Sequence, residues 1–411
     1  MRSTRRDLGQ RSETVRRANL SAIVRTLHES GRQSRSDLVA HTGLTRSAIR
    51  VLVGELTAAG LATEDRAVRH GRPGRPSPEV SLVPGAAIAV AFSIGVDSLS
   101  AAIVGLGGVV LGVARADRPR GHDGVNAIVD DLVTLLDRLP GGRPDGGAVV
   151  SVGVAVAGVV RSRDGLVETA PNLGWSGVPL GALLTTRLGW HVAVVVRNEA
   201  DLGVLAEHRR GAAIGVDDVI YVHGEAGVGS GILVDGRPLA GSAGYAGEIG
   251  HFPVTADGTT CRCGSVGCWE TQIGGGALLA RAGLPRDAGT EGLDRLFAAA
   301  DAGDTAALQA IEATARTLGV GLGGLVNTFN PRMVVLGGVF GRLHPYARQV
   351  IWDELERHSL PAPRAMVRVV PATLGVDAPL LGAAEVALEP VLADPATRLG
   401  SRGALVQLAS A

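Results

Sequence analysis

The 411-residue sequence predicts an α/β protein preceded by a small, basic, mostly helical module. Three observations predict it. In the first eighty positions apolar residues recur at helical spacing, whereas from Pro84 onward short β-branched runs alternate with helical stretches. Residues 1–80 hold 15 arginines against 8 acidic residues, a net of +7, so the formally neutral chain leaves −7 for the remainder. The length suits two or three domains. A basic segment joined to an acidic body suggests a nucleic-acid module attached to something else.

The first element is a helix in which Leu20, Ile23, Val24 and Leu27 follow i, i+3, i+4, i+7 spacing, with Gly31 just beyond its end. A short second helix is expected with Ser36 as its cap, Leu38 and Val39 facing inward, and Gly43 at the turn. The third helix follows Thr45, another N-cap candidate, and buries Ile49, Leu52, Val53 and Leu56 before Gly60. Helix, short helix, glycine turn and longer helix is the helix-turn-helix layout. Arg46, Ser47 and Arg50 lie off the apolar stripe near the start of the third helix, where a recognition helix meets base edges in the major groove. Residues 61–64 and 80–82 read as the two strands of a wing. Between them Gly71-Arg72-Pro73-Gly74-Arg75-Pro76 is stiff, extended and cationic and resembles an AT-hook core. It suits Arg72 or Arg75 to a narrow minor groove and equally suits an interdomain linker. The head is thus expected over residues 1–82.

Beyond it, strand-like runs occupy 87–92, 99–104, 149–156, 192–196, 219–222, 231–234 and 333–336, with helices between them at 125–139, 180–188 and 306–329. Two lobes with a cleft between them fit this length. No run of about 18 apolar residues and no leader with a cleavage site is seen, so a soluble cytoplasmic protein without a membrane partner is expected. The sequence contains no lysine, which excludes lysine-based chemistry.

All three cysteines fall in one eight-residue window, Cys261-Arg262-Cys263-Gly264-Ser265-Val266-Gly267-Cys268, ten residues after His251. Three thiols and one imidazole supply a Cys3His set that suits tetrahedral zinc, and a closed four-ligand set is structural. Gly264 and Gly267 let the chain wrap around an ion, and thiolates on a metal suit a reducing compartment.

The same window carries a family resemblance. Gly247-Glu248-Ile249-Gly250-His251 followed by Cys-x-Cys-Gly-x-x-Gly-Cys-x-Glu, ending at Glu270, resembles the zinc segment of the ROK family of repressors, open-reading-frame proteins and sugar kinases. Gly227-Val228-Gly229-Ser230-Gly231, Asp235-Gly236 and Gly244-Tyr245-Ala246-Gly247 extend the likeness, which spans about residues 82–390. It implies a bilobal actin-like, ribonuclease-H-like effector domain over 83–390, leaving 391–411 as a tail. It also implies a sugar pocket: Asn198, Glu248, His251 and Glu270 match positions that hold sugar hydroxyls, Glu199 stands at the base position, and Gly158 lies in a lining loop.

Against the kinase branch, the phosphate machinery is altered. Where those kinases carry Asp-x-Gly-Gly-Thr, this chain has Ser93-Ile94-Gly95-Val96-Asp97, with Val96 crowding the backbone and Asp97 adding negative charge. Asn-Asp-Ala-Asn has become Asn198-Glu199-Ala200-Asp201, which moves the base carboxylate by about 1.5 Å, one C–C bond. The second glycine loop, 226–231, lacks the kinase threonine, while Gly337-Gly338 is kept. The expectation is a regulator akin to the xylose and N-acetylglucosamine repressors rather than an enzyme. It would hold structural zinc, respond to a sugar or sugar phosphate, and bind a palindromic operator as a homodimer or dimer of dimers. An active sugar kinase carrying a DNA-binding head, and a regulator controlled by a protein partner, are the alternatives.

Overall fold

The computed structural model describes residues 4–65, 77–118 and 124–399. The head contains α1 (Thr4–Ser30), β1 (Gln33–Ser34), α2 (Arg35–Thr42), α3 (Arg46–Ala58), β2 (Ala62–Asp65) and β3 (Glu79–Leu82). Its strands form one antiparallel sheet, β1-β3-β2, which supplies the wing. The expected apolar stripes of all three helices are buried together. Thr45 caps α3, accepting from Ala48 N at 3.2 Å. The cap of α2 is Ser34 instead of Ser36. Ser34 Oγ accepts from Asp37 N at 3.1 Å, and Asp37 Oδ2 accepts from Ser34 N at 3.2 Å. This reciprocal box needs an acid three residues after the cap, which Ser34 has and Ser36 lacks.

The first lobe contains β4 (Ile88–Ile94), β5 (Ser98–Gly105), β6 (Val109–Asp117), α4 (Val125–Asp137), β7 (Val149–Val156), β8 (Val159–Arg161), β9 (Leu166–Ala170), β10 (Trp175–Val178), α5 (Leu180–Leu188) and β11 (Val194–Asn198). After α6 (Glu199–Arg210), the second lobe contains β12 (Val219–Gly224), β13 (Val228–Val234), β14 (Arg237–Pro238), α7 (Glu270–Ile273), α8 (Gly275–Arg281), α9 (Gly289–Asp301), α10 (Thr305–Phe329), β15 (Met333–Gly338), α11 (Val339–His358), α12 (Pro361–Arg364) and β16 (Arg368–Pro371). The described chain closes with α13 (Ala378–Ala393) and α14 (Ala396–Leu399). The main sheets, β11-β7-β4-β5-β6 and β14-β13-β12-β15-β16, have one topology: a three-stranded antiparallel meander with two parallel strands added beside its first strand. Two such halves make the bilobal actin-like, ribonuclease-H-like fold.

α4 and α5 cover the outer face of the first sheet, and α8 to α11 cover that of the second. Between the sheets lie α6 and α13. Leu202 of α6 packs with Leu380, Ala383 and Ala384 of α13 against Ala91, Ala102 and Ala155 of the first sheet. Ala200 and Val204 of α6 pack on Tyr221, Leu233 and Val335 of the second. The approach is backbone on backbone. A Cβ on Gly153 would come within 1.9 Å of Ala383 O, and one on Gly382 within 2.0 Å of Leu202 O.

α13 runs past the expected boundary at residue 390, and its last turns enter the head. Leu388, Val391 and Leu392 share one cluster with Leu20, Ile23, Val24 and Leu27 of α1. Polar contacts seal this joint around the buried Glu385. Arg209 Nη1 donates to Glu385 Oε2 at 2.8 Å, and Arg210 Nε donates to Oε1 at 2.5 Å. Gly107 N donates to His28 Nδ1 at 2.9 Å, and His28 Nε2 lies 3.0 Å from Glu385 Oε2 and 2.7 Å from Arg210 Nη2. Arg25 pairs with Glu389 on the same face. One carboxylate on α13 is thus held by α1 of the head and by the C-terminal end of α6.

Burial alone would raise the Glu385 pKa, but His28, Arg210 and Arg209 together hold the carboxyl well below the ordinary carboxylate range. A depressed folded-state pKa contributes stability that is complete above the ordinary value of about 4.5 and is lost as pH falls below it. Glu385→Gln should therefore destabilise the protein at neutral pH by about 3–5 kcal/mol, since it leaves buried cations without their anion. It should also flatten the acid limb of the stability–pH curve below that pH. Denaturant unfolding at pH 7 and across the acid range checks both, and an unchanged profile would refute the joint's role.

Candidate functional site

The cleft between the lobes holds a cavity of about 380 Å³, within the roughly 300–1,000 Å³ of small-molecule sites. All six expected pocket residues line it: Gly158, Asn198, Glu199, Glu248, His251 and Glu270. Local structure fixes them. Asn198 ends β11 and caps α6, its Oδ1 accepting from Ala200 N at 2.7 Å while Nδ2 donates to Gly158 O at 2.9 Å. Glu270 opens α7 and accepts from Val228 N at 2.9 Å, with Cys261 Sγ 3.7 Å from its other oxygen. It therefore ties the glycine loop to the cysteine window. Glu248 makes no helix-capping bond, although a short 3₁₀ turn follows it.

Sequence reasoning missed Thr169, Asn172, Glu225 and Arg262, which also line the cavity. Asn172 and Arg262 meet across it, with Arg262 Nη1 donating to Asn172 Oδ1 at 2.7 Å. Glu225 sits one residue before the glycine loop as read from sequence; an acid flanking a phosphate-type loop was the available signal. Carboxylates crowd this space. Burial pushes Glu199 up to about 7, and the charge of Glu225 adds to the shift. Burial and then Glu248 push Asp201 up to about 7, and burial raises Glu248. Carboxyls poised this way can donate as well as accept hydrogen bonds to hydroxyl groups.

Where the kinase resemblance would place phosphate, the corner of the cleft is bordered by the substituted Val96. Ser93 lies inside β4, and Gly95 N donates to Ser98 O at 2.9 Å, so the altered loop is a tight hairpin turn. Val96 is buried and forms cavity wall. The retained Gly337 and Gly338 have packing reasons: a Cβ on Gly337 would meet Tyr221 Oη at 2.3 Å, and one on Gly338 would meet Gly224 O at 2.1 Å.

His251, Cys261, Cys263 and Cys268 converge, with one ligand atom from each within 4.8 Å of the others. Cys261 Sγ lies 3.7 Å from His251 Nδ1, and Cys263 Sγ lies 3.7 Å from Cys268 Sγ. A tetrahedral ion with metal–sulfur bonds of about 2.3 Å sets sulfurs about 3.8 Å apart, so the donor set fits such an ion. Positive φ at Gly264 (94°) and Gly267 (74°) makes the wrap, and a Cβ on Gly267 would strike Thr255 O at 1.8 Å. His251 and Cys263 line the cavity as well, so this cluster forms one of its walls.

On the head, Arg46, Ser47 and Arg50 are exposed along the first turns of α3, and among the described residues neither arginine forms an ion pair. Arg72 and Arg75 lie outside the described residues. No described helix is long and apolar enough to cross a membrane.

Comparison with known proteins separates head from body. Residues 89–389 match the ROK family. The chain is 26% identical to the xylose repressor of Bacillus spizizenii, over 91% of this chain and 96% of that one. It is 32% identical to the glucokinase of Halalkalibacterium halodurans, over 64% and 83% respectively. A ROK family transcriptional regulator homologous to the Escherichia coli MLC protein superposes with a TM-score of 0.73 at 25% identity, covering 94% of this chain and 99% of that one. A ROK family glucokinase from Streptomyces griseus, in complex with glucose and AMPPNP, superposes with a TM-score of 0.65 at 30% identity, covering 74% and 99%. The regulators match head and body while the kinases match the body alone, and on the extent of these matches the chain belongs to the ROK family.

Proposed function

We propose that this chain is a sugar-responsive DNA-binding regulator, a repressor of carbohydrate genes, whose effector domain no longer transfers phosphate. The observation that carries the reading is α6. Its first turn presents Asn198 and Glu199 to the cavity, and its last turn clamps Glu385 and, through it, the head. Twelve residues at about 1.5 Å each make a rod of about 18 Å between the two. A sugar that closes the lobes shifts α6, and the joint at Glu385 passes that shift to the recognition helix. In a homodimer or dimer of dimers the paired heads then lose register with a palindromic operator. The similarity to xylose repressors over nearly the whole chain supports this. Among the lining residues Glu199, Glu225, Glu248 and Glu270 outweigh the single arginine, Arg262, which favours an uncharged sugar over a sugar phosphate.

Calorimetry with a panel of neutral sugars, with and without Mg-ATP, tests the reading. Sugar binding should be seen, and sugar phosphate formation should not. Glu248→Ala should abolish sugar binding and leave operator binding insensitive to sugar. The competing reading, a working sugar kinase with a DNA-binding head, draws on Glu199 at the base position and on the glucokinase relatives. It would be established by ATP-dependent phosphorylation that Glu199→Ala removes.

The Cys3His cluster is assigned to zinc held by His251, Cys261, Cys263 and Cys268, an ion that would fix the cavity wall and free His251 Nε2 to meet the sugar. Elemental analysis should find about one zinc per chain in the wild type and less in Cys263→Ala, together with a lower unfolding temperature. Zinc-free wild type would refute it.

Operator contact is assigned to Arg46, Ser47 and Arg50, with Arg72 and Arg75 in the minor groove. Arg50→Ala should weaken specific binding by about 1–3 kcal/mol and relax preference at one base pair, as expected for a lost bidentate guanine contact. Arg72→Ala and Arg75→Ala should weaken binding mainly at A·T-rich flanks. Titrations at fixed salt against wild-type and substituted operators check this; three unchanged variants would remove the assignment.

A further inference from the structure

At the phosphate corner of the cleft a second set of ligand atoms converges, separate from the cysteines. Glu199 opens α6, His223 lies in β12, and Glu225 follows that strand; one oxygen from each carboxylate and one His223 nitrogen lie within 4.8 Å of one another. His223 is the informative member. It is only 2% exposed, and its Nε2 has no hydrogen-bond partner. That nitrogen lies 3.4 Å from Glu225 Oε1, but the two do not meet in hydrogen-bond geometry. Its other nitrogen, Nδ1, is engaged by Tyr221 Oη at 3.0 Å, and the Tyr221 ring stacks on the imidazole with centroids 5.6 Å apart. Tyr221 Oη engages Nδ1, so Nε2 is the ring nitrogen left facing the two carboxylates. A polar partner on the far nitrogen is how proteins fix the tautomer and ring orientation of a metal-ligating histidine.

The surroundings agree. A buried ring nitrogen without a hydrogen-bond partner costs about 1–3 kcal/mol, and two carboxylates close to each other repel. Among the described residues no arginine pairs with Glu199 or Glu225, the sequence has no lysine, and the one ion-pair partner of Glu225 among those residues is the His223 imidazole. Glu225 stands beside the hairpin turn of the first lobe, its Oε2 3.9 Å from where a Cβ of Gly95 would sit. Both carboxylates line the sugar cavity, so an ion between them would keep free coordination positions toward it.

We infer that Glu199, His223 and Glu225 form a site for a divalent transition cation, of the manganese, cobalt or zinc class. One imidazole with two carboxylates favours these ions over magnesium or calcium, which prefer oxygen ligands alone. The ion adds positive charge to a corner otherwise served by His223 alone, and completes its coordination with water or effector hydroxyl oxygens. Because Glu199 is the first residue of α6, ion and sugar act on the same helix. The inference rests on the reading that no nucleotide phosphate uses this corner, yet it is measured without sugar, ATP or DNA, so either can fail alone.

The experiment uses full-length protein already loaded with zinc at the cysteine cluster. Mn²⁺ is titrated while the free-ion electron paramagnetic resonance signal is followed. The wild type should remove one equivalent of Mn²⁺ per chain, and Glu225→Gln and Glu199→Gln should each weaken uptake at least tenfold while keeping the wild-type circular dichroism spectrum. Co²⁺ added in the same way should give a visible absorption spectrum that His223→Gln alters. No Mn²⁺ uptake by the folded wild type would overturn the assignment. Uptake unchanged in both carboxylate variants would overturn it too, as would a Co²⁺ spectrum indifferent to His223→Gln.

Discussion

A carboxylate cannot sit in a protein interior unless cations or donors compensate its lost hydration, and Glu385 meets that demand with groups from two other elements, α1 and α6. His28 comes from the head, Arg209 and Arg210 come from the end of α6, and Glu385 itself stands on the helix that covers the first sheet. Moving any one element strands the charge of another. The head is therefore joined to the body at a point whose geometry is over-determined, and the apolar cluster of α1 and α13 around it excludes water. The arrangement of the rest, from α3 to the cleft, is referred to that point.

The cleft departs from the kinase pattern in its side chains at particular loop positions. Phosphate needs open glycine backbone and positive charge. Here Val96 fills the first loop and Glu225 stands at the second. The polar groups that suit hydroxyl recognition keep their supports: Asn198 through the α6 cap, Glu270 through the glycine loop, His251 through the cysteine cluster. On the proposed function, one half of the site disfavours anions while the other suits neutral polyols.

Much of this was legible in the sequence. Three thiols in one window with a histidine nearby have few physical explanations, and apolar residues at 3.6-residue spacing in the head have only one good burial solution. The strands of the two main sheets were readable where both faces are buried, as at 149–156, where nearly every residue is apolar. β6 escaped because it is an edge strand with six of its nine residues exposed and none buried, and β16 for a similar reason. The role of α13 escaped because its hydrophobicity runs all around the helix, and only tertiary contacts reveal that it serves two partners. His223 and Glu225 escaped because β12 reads as an ordinary buried strand. Convergence with Glu199, 24 residues earlier, is created by the fold and by no local pattern.

The glycine layer under α6 and α13 has a consequence for how such a regulator diversifies. Where Gly153 faces Ala383 and Gly382 faces Leu202, carbonyl oxygens occupy the space any side chain would need, so those positions tolerate almost no substitution. The cavity rim is built differently: Asn172, Glu248 and Arg262 project from loops, and their exchange alters what is recognised without disturbing that layer. Recognition and transmission are therefore separately mutable. On the proposed function, a lineage, or a protein engineer, can substitute the rim to answer a new sugar and inherit the signalling path unchanged.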